Sequence, residues 1–480
     1  MRERLRPTEA AHWVLLAIVC AGVALRLLAA LSWWPAVTTL VDSFPYAAYA
    51  ERGGLENPQH PAGYPWLLAL AGVFSRELGV AVILQHVSGI AAGLLYYCAV
   101  RRVTCSAWPA LAPAAIVILG GDQIFLEHAI MSEAAFAFAL ALVFYAAIRA
   151  LDEPAPVYKW PLAAGALIAV ATTIRSAGLA LAPIVILALL LGGSPPWRRR
   201  LIAPVGVAAV LGALLLAYAV ASDQVNGRFE IAPSSGWHLY ARVAPFADCG
   251  RFDPPEGTEA LCEPRPAAER PSLDYYLYDP GSPARREFGD LGADDDRLGA
   301  FARAAILAQP GDYLSAAWDD LSAYFVPGSY ELRSDQGAHL EGQIDWSVGT
   351  TDYPADVRRE FALTEFGMQE FFDPFTVGIN PSGVELLNVE QRLIRFGATA
   401  LVISTILIAV GLFVGPRRNR IAVLLFGGGG LAILLASSLS VYYVARYTVP
   451  IAGGMIAAAA IAAHSVWTVR ARSARAGSRT

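Results

Sequence analysis

The sequence predicts an α-helical polytopic membrane protein with one large extracytoplasmic segment, and three observations predict it. Of the 480 residues, 56% are hydrophobic and only 16% are charged, whereas a soluble globular protein carries roughly a quarter of its residues as charged side chains. Apolar runs long enough to cross a hydrocarbon core of about 30 Å, which takes roughly 20 helical residues, recur toward both ends of the chain. Between them lies a polar, acidic stretch. Residues 223–390 hold 30 acidic and 12 basic side chains, a net −18, so the remainder carries +13 of the overall −5.

The candidate spans are 11–34, 78–100, 106–121, 130–149, 160–174, 177–193, 201–222, 393–414, 421–441 and 447–468. A shorter apolar piece, Tyr64–Phe74, has Pro65 near its start and is followed by Arg76 and Glu77. Laid flat on the outer face, it leaves ten spans and puts both termini in the cytoplasm. The inner segments then hold Arg2, Arg4, Arg6, Arg101, Arg102, Arg149, Lys159, Arg198, Arg199, Arg200, Arg417, Arg418, Arg420, Arg470, Arg472, Arg475 and Arg479, while the short outer loops keep only Arg52, Arg76, Arg175 and Arg446. A crossing at Tyr64–Phe74 would move Arg101–Arg102 and the Trp197–Arg200 cluster outside, against the positive-inside bias. Residues 61–76 therefore read as an interfacial helix. The first apolar run reads as a transmembrane helix rather than a cleaved signal, because no small-residue cleavage pattern follows it. Lys159 is the only lysine, and the Ala-, Gly- and Pro-rich composition points to a bacterial genome and a bacterial cytoplasmic membrane.

The expected organisation is thus 1–222 with seven spans, 223–390 as an extracytoplasmic cap of α/β or mixed character, and 391–480 with three spans and a cytoplasmic tail. Three of the five cysteines, Cys20, Cys98 and Cys105, lie in or beside apolar runs and behave there as small hydrophobes. Cys249 and Cys262 stand in the acidic outer stretch, where an oxidising compartment favours a disulfide closing a small loop. The run Asp294-Asp295-Asp296 lacks the loop spacing of a calcium site and reads as solvated surface.

Ionisable residues in or beside membrane helices are costly and are candidate sites by default. Here they gather at the outer face. The first outer loop carries Val41-Asp42-Ser43-Phe44-Pro45-Tyr46, then Tyr49, Glu51 and Arg52, then His60-Pro61-Ala62-Gly63-Tyr64-Pro65. Asp122, Glu127, His128 and Glu133 follow between the third and fourth spans, Arg175 stands in the turn between the fifth and sixth, and Tyr442-Tyr443-Val444-Ala445-Arg446-Tyr447 opens the last. Carboxylates and arginines at one depth suit transfer from a lipid phosphate. A carboxylate can take a proton from an acceptor hydroxyl, and arginine grips a phosphate bidentately while staying charged. Two arginines can stabilise a departing monophosphate. No cofactor is expected and no tight His/Cys cluster marks a metal, although a divalent ion stays open.

The order Asp-Ser-x-x-Tyr, His-Pro-x-Gly-Tyr-Pro, Met-Ser-Glu at the fourth span, an Arg in the fifth-to-sixth turn, and Ala-Arg-Tyr-x-x-Pro at the final span resembles the GT-C superfamily of membrane glycosyltransferases. The branch it resembles is that of protein O-mannosyltransferases and lipid A aminoarabinose transferases. The resemblance covers 1–222 and 391–480. It implies a GT-C type fold and an inverting transfer of a hexosyl or pentosyl group from a polyprenyl-phosphate sugar to a cell-envelope glycan, lipid or protein, with no nucleic-acid partner. By position it implies Asp42 as catalytic base, Glu133 as a second acidic group, and Arg446 and Arg175 on the lipid phosphate. It also implies that His60 and Tyr64 lie at the cavity floor, with Tyr49 and Tyr447 beside the substrate. Many relatives carry paired acidic residues where this chain has Asp42-Ser43, and Glu51 or Glu56 is the candidate substitute.

Blander readings stand beside these. Asp42 also fits a helix N-cap, Glu133 a helix-dipole partner, and Arg446 an interfacial anchor. Arg26, inside the first span, is either a partner for one of the carboxylates or a snorkelling side chain. A lipid flippase or transporter would place charges near mid-membrane and show related halves. Another outer-face lipid transferase, such as an acyl transferase, should bury a histidine in a span, and His464 near the cytoplasmic end reads as structural.

Overall fold

The structure, a computed structural model, describes residues 7–38, 42–152, 158–192, 197–327, 345–349 and 355–477. Among them, seven helices are long and apolar enough to cross a membrane: Glu9–Ser32, Leu78–Thr104, Ser132–Asp152, Leu201–Asn226, Pro381–Gly411, Arg417–Ser440 and Ala445–Ala471. The helices of the first half are numbered in chain order: α1 Pro7–Ser32, α2 Ser43–Glu51, α3 Gly63–Gly72, α4 Leu78–Thr104, α5 Trp108–Leu119, α6 Gly121–Glu127, α7 Ser132–Asp152, α8 Lys159–Ile174, α9 Leu181–Gly192, α10 Trp197–Asn226 and α11 Ser235–Val243.

All ten expected spans are helical, but four depart from a straight full-length crossing, the eighth because its helix breaks at residues 394–397 and resumes as the 14-residue Ala398–Gly411. The third is the pair α5 and α6, bent by 47° where Gly120 adopts an extended backbone. The fifth and sixth are the shorter apolar helices Lys159–Ile174 and Ser176–Gly192. The expected interfacial helix is the ten-residue α3, well short of the bilayer thickness.

α7 fixes a ruler for the molecule. Its N-terminus carries Glu133 and its last turn Asp152, and its 21 residues span about 30 Å at 1.5 Å per residue. At the Asp152 end, Arg418 donates to the carboxylate at 2.6 Å and Arg102 pairs with it as well. Two arginines assigned to the inner side from the charge pattern therefore share one end of the bundle. The side chains of Arg198, Arg199 and Arg200 lie outside the described residues.

One hydrophobic core runs through the helical body, and a second cluster, around Trp237, Tyr240, Tyr276, Leu298 and Phe301, belongs to residues 237–305. The later part of the acidic stretch does not join that second cluster. Tyr324, Trp346, Met368, Phe371 and Phe372 bury their side chains in the core of the helical body. The α/β or mixed character expected of the outer segment is corrected: the described residues there are helices, 3₁₀ turns and loops, with one two-residue strand. The Pro and Gly spacers keep these elements short, and aromatics that suit strands, such as Tyr275 and Tyr276, sit in the six-residue helix Leu273–Tyr278. That strand, Gly378–Ile379, pairs antiparallel with Trp33–Trp34 at the end of α1, so the acidic stretch returns to the first long helix. The Cys249–Cys262 disulfide is formed, with a Cα–Cα separation of 6.0 Å. Both cysteines pack against the second cluster.

Candidate active site

Asp42 precedes α2 but does not cap it with its side chain. Its carboxylate turns away from the helix and accepts a hydrogen bond from Arg446 Nη2 at 2.7 Å, and its other oxygen lies 3.5 Å from His60 Nε2. His60 is held by its own loop. Asn57 accepts hydrogen bonds from the backbone amides of Gln59 and His60, an Asx turn that sets up the Pro61 bend. The Tyr46 ring stacks on the imidazole with centroids 4.5 Å apart.

Arg446 sits in the 3₁₀ turn Ala445–Tyr447 ahead of the last helix and is buried. While Nη2 holds Asp42, Nε lies 2.9 Å from Glu133 Oε1. The same oxygen stands 2.8 Å from Arg175 Nη1, which also donates to Ser132 Oγ at 2.9 Å. The Tyr46 hydroxyl meets that Ser132 oxygen at 3.0 Å, and the Arg175 guanidinium lies 4.6 Å from the Tyr447 ring centroid. Five motifs distant in sequence thus close into one cluster. Gly63 makes part of the closure possible. A methyl group on it would stand 2.5 Å from the Thr173 carbonyl carbon, so only glycine lets α3 touch the last turn of α8, which Arg175 ends.

A cavity of about 690 Å³ opens on this cluster, lined by Asp42, Tyr46, His60, Arg175, Arg446 and Tyr447 among others. Glu133 is sealed, with no side-chain exposure, and does not line it. Neither does Tyr64, which is buried and donates to Gln85 Oε1 at 2.8 Å, nor Tyr49, whose ring faces Arg52. Glu51 pairs with Arg76 at 2.8 Å, away from the cavity. Burial would raise the Asp42 pKa, but the Arg446 charge beside it, His60 and Arg175 outweigh burial and hold it well below the usual carboxylate range. The carboxylate is ionised and hydrogen-bonded at the rim of an empty space.

A polar network joins Arg26, Glu127 and His128 to two residues that the sequence reading missed, Gln85 and His86. Arg26 is bidentate on Glu127, at 2.8 and 2.9 Å, and its remaining nitrogen donates to the Gly22 and Ile118 carbonyls. Of the two readings for Arg26, the carboxylate partner holds. His86 bridges Glu127 at 3.0 Å and His128 at 2.9 Å, and His128 reaches the Trp33 carbonyl. Gln85 donates to the carbonyls of Glu127 and Ala129, and Val37 N–H donates to the His128 carbonyl at 2.8 Å. The turn that delivers Ser132 and Glu133 is therefore pinned from α1, α4 and the first outer loop. Gln85 and His86 are polar residues inside a candidate span, the signal that would have found them. In the acidic run Asp294 and Asp296 are exposed, as solvated surface requires, and only Asp295 departs from that reading. Asp295 is half-buried and accepts from the backbone amides of Gly236 and Trp237, both at 2.9 Å, capping α11 from another helix rather than facing solvent.

No family model matches the sequence, and no curated protein matches it. Among solved structures, the archaeal oligosaccharyltransferase AglB from Archaeoglobus fulgidus, in complex with an inhibitory peptide and a dolichol-phosphate, is similar over 94% of this chain and 50% of that one, with 14% identity and a TM-score of 0.44. The chain thus spans about half the length of that enzyme. ArnT from Cupriavidus metallidurans, bound to undecaprenyl phosphate, is similar over 95% of this chain and 78% of that one, with 13% identity and a TM-score of 0.37.

Proposed function

We propose that this chain is a glycosyltransferase that moves a sugar from a polyprenyl-phosphate-linked donor to an acceptor on the outer face of the cytoplasmic membrane, with inversion. One observation carries the reading: a carboxylate and an arginine, Asp42 and Arg446, lie 2.7 Å apart on the wall of a cavity large enough for a monosaccharide and its phosphate. The order of the five motifs supports the same reading. The organisation into 1–222, 223–390 and 391–480, with the middle segment outside and both termini inside, belongs to it.

In this reaction Asp42 accepts the proton of an acceptor hydroxyl as that oxygen bonds to the anomeric carbon. The bond from the anomeric carbon to the phosphate oxygen breaks in the same step, and the electron pair leaves with the phosphate. The donor diester carries one negative charge and the product monoester two, so the charge lost by Asp42 on protonation reappears on the phosphate. Arg446 and Arg175 stabilise that gain where it develops. Glu133, sealed behind them, is a positioning residue that fixes both guanidinium groups, and His60 orients Asp42. Tyr447 braces Arg175 from its ring face.

The test incubates the purified protein with radiolabelled polyprenyl-phosphate hexoses and pentoses and membrane acceptors. Transfer is expected with at least one donor. Asp42→Asn should lower kcat by about 10²- to 10⁴-fold, and Arg446→Ala by about 10²- to 10³-fold. Turnover of no donor, or full activity in Asp42→Asn, rejects the reading.

A further inference from the structure

The cavity has a second wall, supplied by the outer segment, which the proposed reaction does not use. Ala232, Pro233, Ser235, His238 and Tyr278 line it, and Gln59, from the loop between α2 and α3, adds to the lining. They bring no guanidinium and no carboxylate, in contrast to the wall formed by Asp42, Arg175 and Arg446. One wall is suited to a phosphate, the other to neutral hydrogen bonding.

His238 is the group on that wall with a defined polarity. It lies in the first turn of α11, and its Nδ1 lies 2.7 Å from the Ser234 carbonyl oxygen. A carbonyl only accepts, so Nδ1 carries the proton. A neutral imidazole then leaves Nε2 as an acceptor only. Burial lowers the His238 pKa from its ordinary value, with His60 acting the same way and the Ser234 carbonyl and Asp295 acting against it, which keeps the ring neutral at pH 7. Among the described residues Nε2 makes no hydrogen bond.

The ring is also rigidly placed. Ser234 has a left-handed backbone, φ 53°, and its hydroxyl donates to the Pro58 carbonyl, two residues before His60. Asp295 caps the helix above it, and Trp237 Nε1 donates to the Ala293 carbonyl at 2.7 Å. The loop that orients Asp42 and the helix that carries His238 therefore meet at one junction.

We infer that His238 Nε2 is an acceptor-specificity element: it accepts a hydrogen bond from a hydroxyl of a saccharide acceptor and so helps to select which sugar presents its nucleophile to Asp42. The inference rests on the proposed glycosyl transfer. An anionic headgroup would gain nothing from a lone pair at this position, whereas a polyol offers many O–H donors. The donor phosphate has its own partners in Arg446 and Arg175, which leaves the neutral lining to the other substrate.

The experiment uses the full-length protein with the donor found active above, a panel of methyl glycosides and their single-position deoxy analogues, and serine- and threonine-containing peptides. For the wild type, one deoxy analogue should be used roughly tenfold less well than its parent, the scale of one lost hydrogen bond. His238→Ala should raise the KM for the parent glycoside by about the same factor, leave donor KM where it was, and erase the discrimination against that deoxy analogue. His238→Gln, which keeps an acceptor oxygen, should restore part of it. Unchanged thermal midpoints separate this outcome from misfolding. If wild type transfers sugar but His238→Ala keeps both acceptor KM and deoxy discrimination, or moves donor KM instead, the inference fails and the transfer reaction stands. Glycosylation of the peptides alone overturns it in the same way. If wild type turns over no donor, both fall together.

Discussion

Arg446 donates to Asp42 at 2.7 Å across 404 positions of sequence, joining the loop after α1 to the turn ahead of the last helix. The contact does two things at once. It keeps the carboxylate ionised, and it holds a guanidinium at the cavity wall that Nε simultaneously ties to Glu133. An anionic phosphate arriving there competes with Asp42 for the same nitrogen, and the carboxylate it displaces is the group proposed as base.

Arg446→Lys tests whether geometry or charge matters at this point. A lysine retains the charge but cannot span two carboxylates with a planar fork. kcat/KM for donor is expected to fall by about 10- to 100-fold, short of the loss in Arg446→Ala. Equal activity in Arg446→Lys and wild type would show that the bridging geometry is irrelevant.

The Asp42 pKa is depressed, so its stabilising contribution is present above the unfolded value of about 4 and disappears as pH falls through the lower folded value. Thermal midpoints of wild type and Asp42→Asn should therefore differ by a constant amount from pH 7 to about 5. The gap should close only as the pH drops below about 4. A gap that closes near pH 6 would contradict the assignment.

Glu133 has no exposure and faces two arginines. Glu133→Ala leaves both guanidinium groups buried without their shared counter-charge, and breaking a buried pair in this way costs about 3–5 kcal/mol. A large drop in thermal midpoint together with lost activity is expected, in contrast to Asp42→Asn, which should lose activity far more than stability.

A methyl group on Gly89 would stand 1.7 Å from Glu127 Oε1, and that oxygen is held by Arg26 and Gln123. Gly89→Ala must displace the carboxylate or part α4 from α6. Reduced yield of folded protein and slower transfer are expected although the residue is remote from the cavity. Wild-type behaviour would mean the Arg26–Glu127 pair is dispensable.

Removing the disulfide with Cys249→Ser and Cys262→Ser opens a loop closed over a separation of 13 residues, for which chain entropy amounts to about 3 kcal/mol. Because both cysteines pack on the cluster around Trp237 and Phe301, the loss should appear as faster protease cleavage within 237–305. The membrane helices should keep their resistance.

The helical body was legible because bilayer thickness and arginine placement are strong, long-range constraints. Asp42, Glu133, Arg175 and Arg446 were legible because a charged side chain at a membrane face is conspicuous against an apolar background. Tyr64 and Tyr49 were read into the cavity from their motifs, but the structure turns one toward Gln85 and leaves the other beside Arg52, since sequence spacing does not fix the direction of a side chain. The break at Gly120 and the His86–Glu127–His128 network depend on contacts between helices far apart in the chain, which hydropathy does not encode. In the outer segment the short helices escaped for a related reason. Leu273–Tyr278 and Pro283–Phe288 are under two turns each, too short to show a periodic face, and the cap of α11 comes from Asp295, some sixty residues downstream.

The formal charges of the cluster cancel, two arginines against two acidic side chains, of which Asp42, Arg175 and Arg446 line the cavity and Glu133 lies sealed behind them. A bare arginine pair would act as a trap for every soluble phosphate, sulfate or nucleotide that drifted past the membrane. An electroneutral one does not. An anion must first break the contact between Asp42 and Arg446, and a small solute has little else with which to offset that loss. A ligand already anchored by a long hydrocarbon tail does, because the tail stays in the bilayer while its headgroup competes. Discrimination in favour of lipid-linked phosphates would then arise from the balance of charge at rest, before any sugar is recognised.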